Sequence, residues 1–158
     1  ASLAAFAAPS PAHLLATVVR VVDGDTLVVR LDGREETVRL IGADTPETVH
    51  PTVGLEPGGP EASAYTKALL PPGTRVSLEL DVEQRDRYGR LLAYVYLADG
   101  RMINAELLRA GWAQLLTIPP NVRHVELAAA GGPRGRPGPV GRVATRRPRD
   151  RRGSDSER

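Results

Sequence analysis

The feature that most constrains the fold is a hairpin pattern between residues 27 and 41. Residues 27–31 and 37–41 are rich in apolar side chains, with polar residues at 30, 37 and 39 and Asp32-Gly33 in the connection. Both central positions of a two-residue turn formed by Asp-Gly tolerate positive φ, so this pair is a strong hairpin signal. We therefore expect two antiparallel strands in a sheet with one buried face.

Two short acidic turns flank this hairpin. Asp23 and Asp25 belong to the first turn, Asp44 and Glu47 belong to the second, and Arg39 lies on the strand between them. Antiparallel strands bring distant residues to the same end of a sheet, so Asp25 and Asp44 are expected to meet. Carboxylates beside an arginine suit a hard cation together with a phosphate group. The alternative is that the acidic segments form only an ordinary turn and a helix cap.

The rest of the chain predicts three more strands and at least two helices. The strands are expected at residues 14–22, 74–80 and 91–97, and the helices at 61–70 and 102–110. A helical pattern starts again at residue 122 and is stopped by Gly131. Five strands with two or three helices are typical of a small closed barrel that binds oligonucleotides across one face. The predicted fold class is therefore α+β, with a five-stranded OB-type β-barrel.

Composition divides the chain into one domain and two flanking segments. Residues 14–130 are enough for a single core. Residues 131–158 contain nine arginines and three acidic residues, a balance of +6 that leaves −4 for residues 1–130. This Arg-, Gly- and Pro-rich tail has no apolar face and is expected to be disordered. The basic pI therefore describes a tail and not a basic binding face.

The first thirteen residues bear on localisation. Their small apolar side chains and Ala-x-Ala spacing are similar to the end of a secretory signal, and an Ala-rich disordered leader is the alternative. Cysteine is absent, and no apolar run reaches the roughly 18 residues that a membrane-spanning helix needs. We expect a monomer that is secreted or located in the cell envelope.

Five segments occur together in the order and spacing of one known family, and they cover roughly residues 14–125. They are Val22-Asp23-Gly24-Asp25-Thr26, then Val38-Arg39-Leu40, then Asp44-Thr45-Pro46-Glu47-Thr48 with His50-Pro51, then Gly59-Pro60-Glu61-Ala62-Ser63-Ala64-Tyr65-Thr66-Lys67, and Asp86-Arg87-Tyr88-Gly89-Arg90 followed by Leu92-Ala93-Tyr94-Val95-Tyr96. They resemble the staphylococcal (thermonuclease-like) nuclease family.

This resemblance implies a calcium-dependent nuclease that acts on DNA and RNA and leaves 3′-phosphate ends. Single-stranded substrate is expected, because a small cleft suits splayed strands better than a rigid duplex. The implied calcium ligands are the carboxylates of Asp25 and Asp44 and the main-chain carbonyl of Thr45. Asp23 is expected to support the ion from behind these ligands, with turn formation as its alternative role.

The resemblance also implies roles around the reacting phosphate. Glu47 would orient or deprotonate the attacking water. Arg39 and Arg90 would clamp the phosphate, since a guanidinium offers it two parallel donors. Arg87 and Tyr88 would bind the neighbouring phosphate and the sugar or base. The alternatives are a solvent-facing carboxylate for Glu47, a surface ion pair for Arg39 and a turn position for Arg90.

Two departures from the family pattern leave other functions open. Residues 116–121 contain no tyrosine, so the base loses an aromatic ring on which to stack. The final helix is also cut short by Gly131. A non-catalytic nucleic-acid-binding barrel, or a catalytically impaired product with a truncated last helix, are the alternatives. Tyr65 and Trp112 are expected in the core, and the three histidines (His13, His50 and His124) are expected to be structural or exposed.

Overall fold

The computed structural model describes residues 13–47 and 58–131. The leader before residue 13, residues 48–57 and the tail from residue 132 lie outside the described residues, so the predictions made for them stay predictions. His13, which the sequence placed in the leader, is the first residue of a strand.

The described residues form seven strands and three helices, whose bounds follow in chain order. They are β1 (His13–Asp23), β2 (Thr26–Leu31), β3 (Arg34–Leu40), β4 (Ala43–Asp44), α1 (Gly59–Leu69), β5 (Arg75–Arg85), β6 (Leu91–Leu97), α2 (Ile103–Arg109), β7 (Gln114–Leu115) and α3 (Val125–Ala129). The predicted hairpin is present between β2 and β3. Its turn residues have positive φ, 51° at Asp32 and 78° at Gly33, as a two-residue turn of this kind requires.

Five strands close into a barrel in the order β1-β2-β3-β6-β5. All neighbouring pairs are antiparallel except β3 and β6, which run parallel and pair Val38 with Leu91, Arg39 with Leu92 and Leu40 with Ala93. This parallel pair closes the barrel, and we call it the closing seam. The predicted α+β fold with a five-stranded OB-type barrel is confirmed.

The barrel interior holds the main hydrophobic core. Its largest fully buried members come from all five barrel strands, α2 and the end of α1, and include Leu27, Val38, Leu78, Val95 and Leu107. Each such side chain contributes about 1.5–3 kcal/mol by leaving water. Leu107 lies on α2, which corresponds to the helix predicted at residues 102–110.

The two aromatic residues expected in the core pack against it. Tyr65 on α1 and Trp112 after α2 are partly buried, and their ring centroids lie 6.4 Å apart. α3 ends at Ala129, and Gly131 follows with a φ of 96°, so the predicted stop at Gly131 is confirmed. Within the described residues, no helix is long and apolar enough to cross a membrane.

A cluster of polar side chains surrounds the buried carboxylate of Glu79 on β5, and Glu79 is only 2% exposed. Tyr96 donates to its Oε2 at 3.1 Å, His124 Nε2 lies 2.8 Å from its Oε1, and His13 Nε2 lies 3.6 Å from its Oε2. Burial alone would raise the pKa of Glu79, but the hydrogen bonds from His124, Tyr96 and Arg123 hold it below its ordinary value. The two described histidines therefore have structural roles, as predicted.

Candidate active site

The two acidic turns meet at one end of the barrel. Asp25 is buried, and its Oδ1 accepts from the Thr26 hydroxyl while its Oδ2 accepts from the backbone N–H of Thr45, each at 2.9 Å. β2 and β3 carry these turns to the same end, because Thr26 pairs with Arg39 in the hairpin register. The hairpin predicted that Asp25 and Asp44 would meet, and Asp25 contacts the backbone of Thr45, the residue that follows Asp44.

Arg39 joins the two carboxylates that the sequence assigned to a cation. Its Nη1 lies 3.2 Å from Asp25 Oδ2, and its Nη2 donates to Asp44 Oδ1 at 2.8 Å. Nη1 also donates to the carbonyl of Ala43 at 2.7 Å. The Arg39 side chain is 16% exposed, whereas the Asp44 side chain is 51% exposed. One positive group thus lies within ion-pair distance of both aspartates, at the boundary between core and solvent.

Gly24 allows the first turn to pack against the second. A Cβ at this position would lie 2.8 Å from both Cγ2 and Oγ1 of Thr45, which is too close. The Gly24 carbonyl accepts from the Thr66 hydroxyl of α1 at 2.7 Å. Sequence reasoning assigned no role to Thr66, although it lies within one of the five matching segments. The hydrogen bond from Thr66 therefore fixes the first acidic turn against α1.

Glu47 lies on the exposed side of the segment that follows β4. Its backbone carbonyl is covered by the start of α1, where a Cβ on Gly59 would lie 2.5 Å from it. Asp23 is partly exposed at the end of β1 and pairs with Thr26 in the sheet register. Both residues are thus at the same end of the barrel as Asp25.

The remaining predicted site residues lie on a tight turn between β5 and β6. Asp86 Oδ1 accepts from the backbone N–H groups of Tyr88 and Arg90, at 2.9 and 3.0 Å, and Gly89 has a φ of 79°. Asp86 Oδ2 accepts from Arg90 Nε at 2.7 Å. Burial alone would raise the pKa of Asp86, but these hydrogen bonds outweigh it and hold the pKa below its ordinary value.

Both arginines of this turn face the ring of Tyr88. The guanidinium carbons of Arg87 and Arg90 lie 4.8 and 5.4 Å from its centroid, within cation–π range. Arg87 also donates to the Tyr88 hydroxyl at 2.6 Å. The Tyr88 side chain is 68% exposed. The turn therefore presents two cations and an aromatic face to solvent.

Arg85 is a feature of the site that sequence reasoning missed. Its Nη1 and Nη2 each donate to the Glu36 carboxylate of β3 at 2.9 Å, and Nη1 also donates to the Gly89 carbonyl at 2.8 Å. The hydrogen bond from Arg85 holds the pKa of Glu36 below its ordinary value. The pair ties the turn to β3, and no local pattern in the sequence signals a contact between these two strands.

A cleft of about 470 Å³ joins these groups. Arg39, Arg87, Tyr88 and Arg90 all line it. The exposed aliphatic residues Leu116 and Ile118 also line it. They belong to the segment 116–121, which contains no tyrosine. Arg39 connects the cleft to Asp25 and Asp44. The structure therefore brings the predicted residues together in two groups that share Arg39.

The donor set at the acidic end fits a hard cation with open coordination positions. Within residues 13–47 and 58–131, no group of three or more His, Cys, Asp or Glu side chains could hold a metal ion. The carboxylates of Asp25 and Asp44 nevertheless both lie within ion-pair distance of the Arg39 guanidinium, and the Ala43 carbonyl oxygen accepts from the same group. Such all-oxygen sites suit calcium or magnesium, with water or a ligand oxygen at the remaining positions.

The fold and site define a class: an OB-type barrel with two aspartates on one arginine and four arginines lining one cleft. Residues 37–130 match the family model described as "Staphylococcal nuclease homologue". The chain therefore belongs to the staphylococcal nuclease homologue family.

Curated relatives agree with this membership. The chain is 50% identical over 107 residues to a thermonuclease of Staphylococcus intermedius, covering 68% of this chain and 62% of that protein. It is 46% identical over 109 residues to a thermonuclease of Staphylococcus hyicus, covering 69% and 63%. It is also 41% identical over 112 residues to the endonuclease YncB of Bacillus subtilis, covering 70% and 52%. The matched region thus spans less than two thirds of the length of these relatives.

Proposed function

We propose that this protein is a calcium-dependent nuclease that hydrolyses phosphodiester bonds of DNA and RNA and leaves 3′-phosphate ends. The observation that carries the proposal is the position of Arg39, which pairs with Asp25 and Asp44 and lines the same cleft as Arg87, Tyr88 and Arg90. The relatives named thermonuclease and endonuclease support it.

The cation would be held by Asp25, Asp44 and the main-chain carbonyl of Thr45. A bound calcium ion would supply positive charge next to the reacting phosphate. Asp23, at the end of β1, would support this site from behind. The chain contributes only two carboxylates, and this leaves ligand positions for water and for a phosphate oxygen.

The arginines would stabilise the charge that develops on the phosphate. Phosphoryl transfer spreads negative charge over the equatorial oxygens, so fixed cations beside them lower the barrier. Arg39 approaches from the acidic end of the cleft, and Arg90 from the turn. Glu47 would orient the attacking water or accept its proton, for which it must lie within hydrogen-bond reach of that water.

The turn and the opposite wall would hold the rest of the substrate. Arg87 would bind the neighbouring phosphate, and the exposed ring of Tyr88 would contact a sugar or base. Leu116 and Ile118 offer an apolar surface without a ring, so base stacking there is missing, and each stacked base is worth about 1–3 kcal/mol. We expect single-stranded or frayed strands to be preferred, because a flexible strand can enter a cleft of this size.

The test is hydrolysis of denatured DNA and of RNA with calcium, with magnesium and with excess chelator. We expect rapid hydrolysis with calcium and much slower hydrolysis with magnesium, which demands a tighter octahedral geometry. The 5′ product ends should carry a hydroxyl that a kinase labels directly, whereas the 3′ ends should resist extension by a terminal transferase until a phosphatase has removed the 3′-phosphate. Full activity in chelator would contradict the calcium assignment, and a folded protein that cleaves neither DNA nor RNA with either cation would contradict the nuclease assignment.

A matched pair of aspartate variants localises the activity. Asp25→Asn removes a carboxylate at the acidic end, and Asp32→Asn removes one from the β2–β3 turn at the other end of the hairpin. Asparagine tolerates the positive φ of Asp32. We expect Asp25→Asn to lower both calcium affinity and turnover, while Asp32→Asn retains both.

A further inference from the structure

Asp86 accepts three hydrogen bonds within the turn between β5 and β6, two from the backbone and one from a side chain. Its Oδ1 accepts two backbone N–H groups and closes the turn, and its Oδ2 accepts from Arg90 Nε at 2.7 Å. The Asp86 side chain is 18% exposed, so water does not fully screen this pair. One carboxylate thereby fixes both the backbone of the turn and the guanidinium of Arg90.

The contact with Nε determines which edge of the guanidinium remains available. A guanidinium can meet an anion through Nε and one terminal nitrogen, or through its two terminal nitrogens. Asp86 occupies Nε, and Arg90 makes no other ion pair among the described residues. The edge formed by Nη1 and Nη2 is thus the one that an anion in the cleft can meet with two donors.

The face of the same guanidinium is restrained by a second group. Tyr88 lies with its ring centroid 5.4 Å from the Arg90 guanidinium carbon, and the Tyr88 backbone is itself held by Asp86. Two neighbours in fixed positions leave Arg90 few other rotamers. A positive group held in place before the substrate binds needs no reorganisation during the reaction.

We infer that Asp86 is a positioning residue that aims the terminal nitrogens of Arg90 at the phosphate in the cleft. The inference rests on the proposed nuclease function and adds a residue to which the sequence assigned no role. Asp86 does not touch the substrate, and it acts through Arg90. Misplacement of a positioned group by about 1 Å lowers turnover by as much as a hundredfold.

The chain contains a matched control for this pair. Asp99 accepts from Arg101 Nε at 2.8 Å and from the Arg101 backbone N–H at 3.0 Å, in the turn between β6 and α2. Both pairs join an aspartate to an arginine Nε, although Asp99 is more exposed than Asp86 and accepts one backbone N–H group where Asp86 accepts two, and neither Asp99 nor Arg101 lines the cleft. Asp99→Asn thus reports the effect of losing such a pair where no substrate binds.

The experiment is a double-mutant cycle of Asp86→Asn and Arg90→Ala, with kcat and KM measured on denatured DNA with calcium. Asparagine keeps an oxygen for the two backbone N–H groups but places a neutral group beside Arg90 Nε. We expect Asp86→Asn to lower kcat by about 30- to 100-fold with KM changed less than about threefold. In the Arg90→Ala background the same substitution should lower kcat by less than about threefold, and Asp99→Asn should leave kcat unchanged.

Equal factors in both backgrounds, or an unchanged kcat in Asp86→Asn alone, would overturn the inference. If Asp86→Asn does not fold, Asp86→Ser replaces it in the cycle, because a serine hydroxyl also accepts backbone N–H groups in such turns. Chemical denaturation of each variant identifies which one folds. An inactive but folded wild-type protein would overturn the proposed function itself, whereas an active wild type with additive effects would overturn only the role of Asp86.

Discussion

Arg39 donates through Nη2 to Oδ1 of Asp44 at 2.8 Å, across the bend that joins β3 to β4. In this structure the guanidinium thus neutralises a carboxylate that we assign to the cation. A cation bound there would compete with Arg39 for Asp44, and the released guanidinium would become available to a phosphate. Arg39 is therefore expected to oppose cation binding when no nucleotide is present.

The first prediction follows from this competition. Arg39→Gln should tighten calcium binding in the absence of nucleotide by about tenfold, equivalent to about 1.4 kcal/mol, while turnover falls. Isothermal titration calorimetry measures the affinity. Arg34→Gln removes the same charge from the exposed far end of β3 and serves as the control. If both variants bind calcium equally, the pairing of Arg39 with Asp44 does not oppose the cation.

The second prediction concerns Glu47. Glu47→Gln removes the proposed base but none of the proposed ligands, so turnover should fall by about 10²–10⁴-fold with calcium affinity nearly unchanged. Glu61→Gln, at an exposed position in the first turn of α1, controls for the loss of a nearby negative charge. A parallel loss of calcium affinity in Glu47→Gln would instead assign Glu47 to the ion.

The third prediction concerns the close contact of the two acidic turns. Gly24→Ala places a methyl group 2.8 Å from Thr45 Cγ2 and Oγ1, and should destabilise the fold by about 1–3 kcal/mol and weaken calcium binding. Thr45→Ala in the same chain removes both of those atoms but keeps the Thr45 Cβ at 3.0 Å, so the double variant should recover part of the stability. Urea denaturation provides the free energies of unfolding. A double variant no more stable than Gly24→Ala would show that another contact is responsible.

The fourth prediction concerns Glu79 and acid. Its pKa is held below the ordinary value of 4.5, so its contribution to stability is present above about pH 4.5 and is lost as the pH falls through the lowered pKa. Glu79→Gln should cost about 2–4 kcal/mol at pH 7 and should flatten the fall in stability below pH 4.5. Glu83→Gln changes an exposed glutamate of the same strand and should keep the acid-dependent fall. Thermal melts between pH 3 and 7 measure both effects.

Local signals in the sequence were sufficient for the hairpin and for most element bounds. Asp32-Gly33 could form only a few tight turns, but the expectation of one buried face was wrong for β2, in which Thr26 and the next three residues are all buried. The local signals also placed Asp25 close to the second acidic turn, because the hairpin register dictates where its two ends lie, although Asp25 contacts the backbone of Thr45 and not Asp44. The part of the site that rests on one hairpin was therefore predictable.

Contacts between distant segments were not predictable from local patterns. Glu79 alternates with Val76 and Leu78 as a solvent-facing residue would, yet it is buried because His13 and His124 cover its outer face from other parts of the chain. The two-residue pairing of β4 with β7 also has no periodic signal. The turn at Asp86 could be anticipated from an aspartate three residues before a glycine, but its ion pair with Arg90 could not.

The closing seam has a consequence for how the molecule folds. Arg39 sits on the seam itself, and Arg90 immediately precedes the strand that completes it, so the seam sets the distance between them. Pairing of chain segments so far apart must overcome the entropy of closing a long loop, and such contacts form slowly compared with a hairpin. A chain in which β2 and β3 have paired but the closing seam has not formed would bring Asp25 and Thr45 together while Arg90 is still far from them. In a refolding experiment, nuclease activity should therefore return only with the slowest structural phase. The time course of recovered activity would then report when the barrel closes.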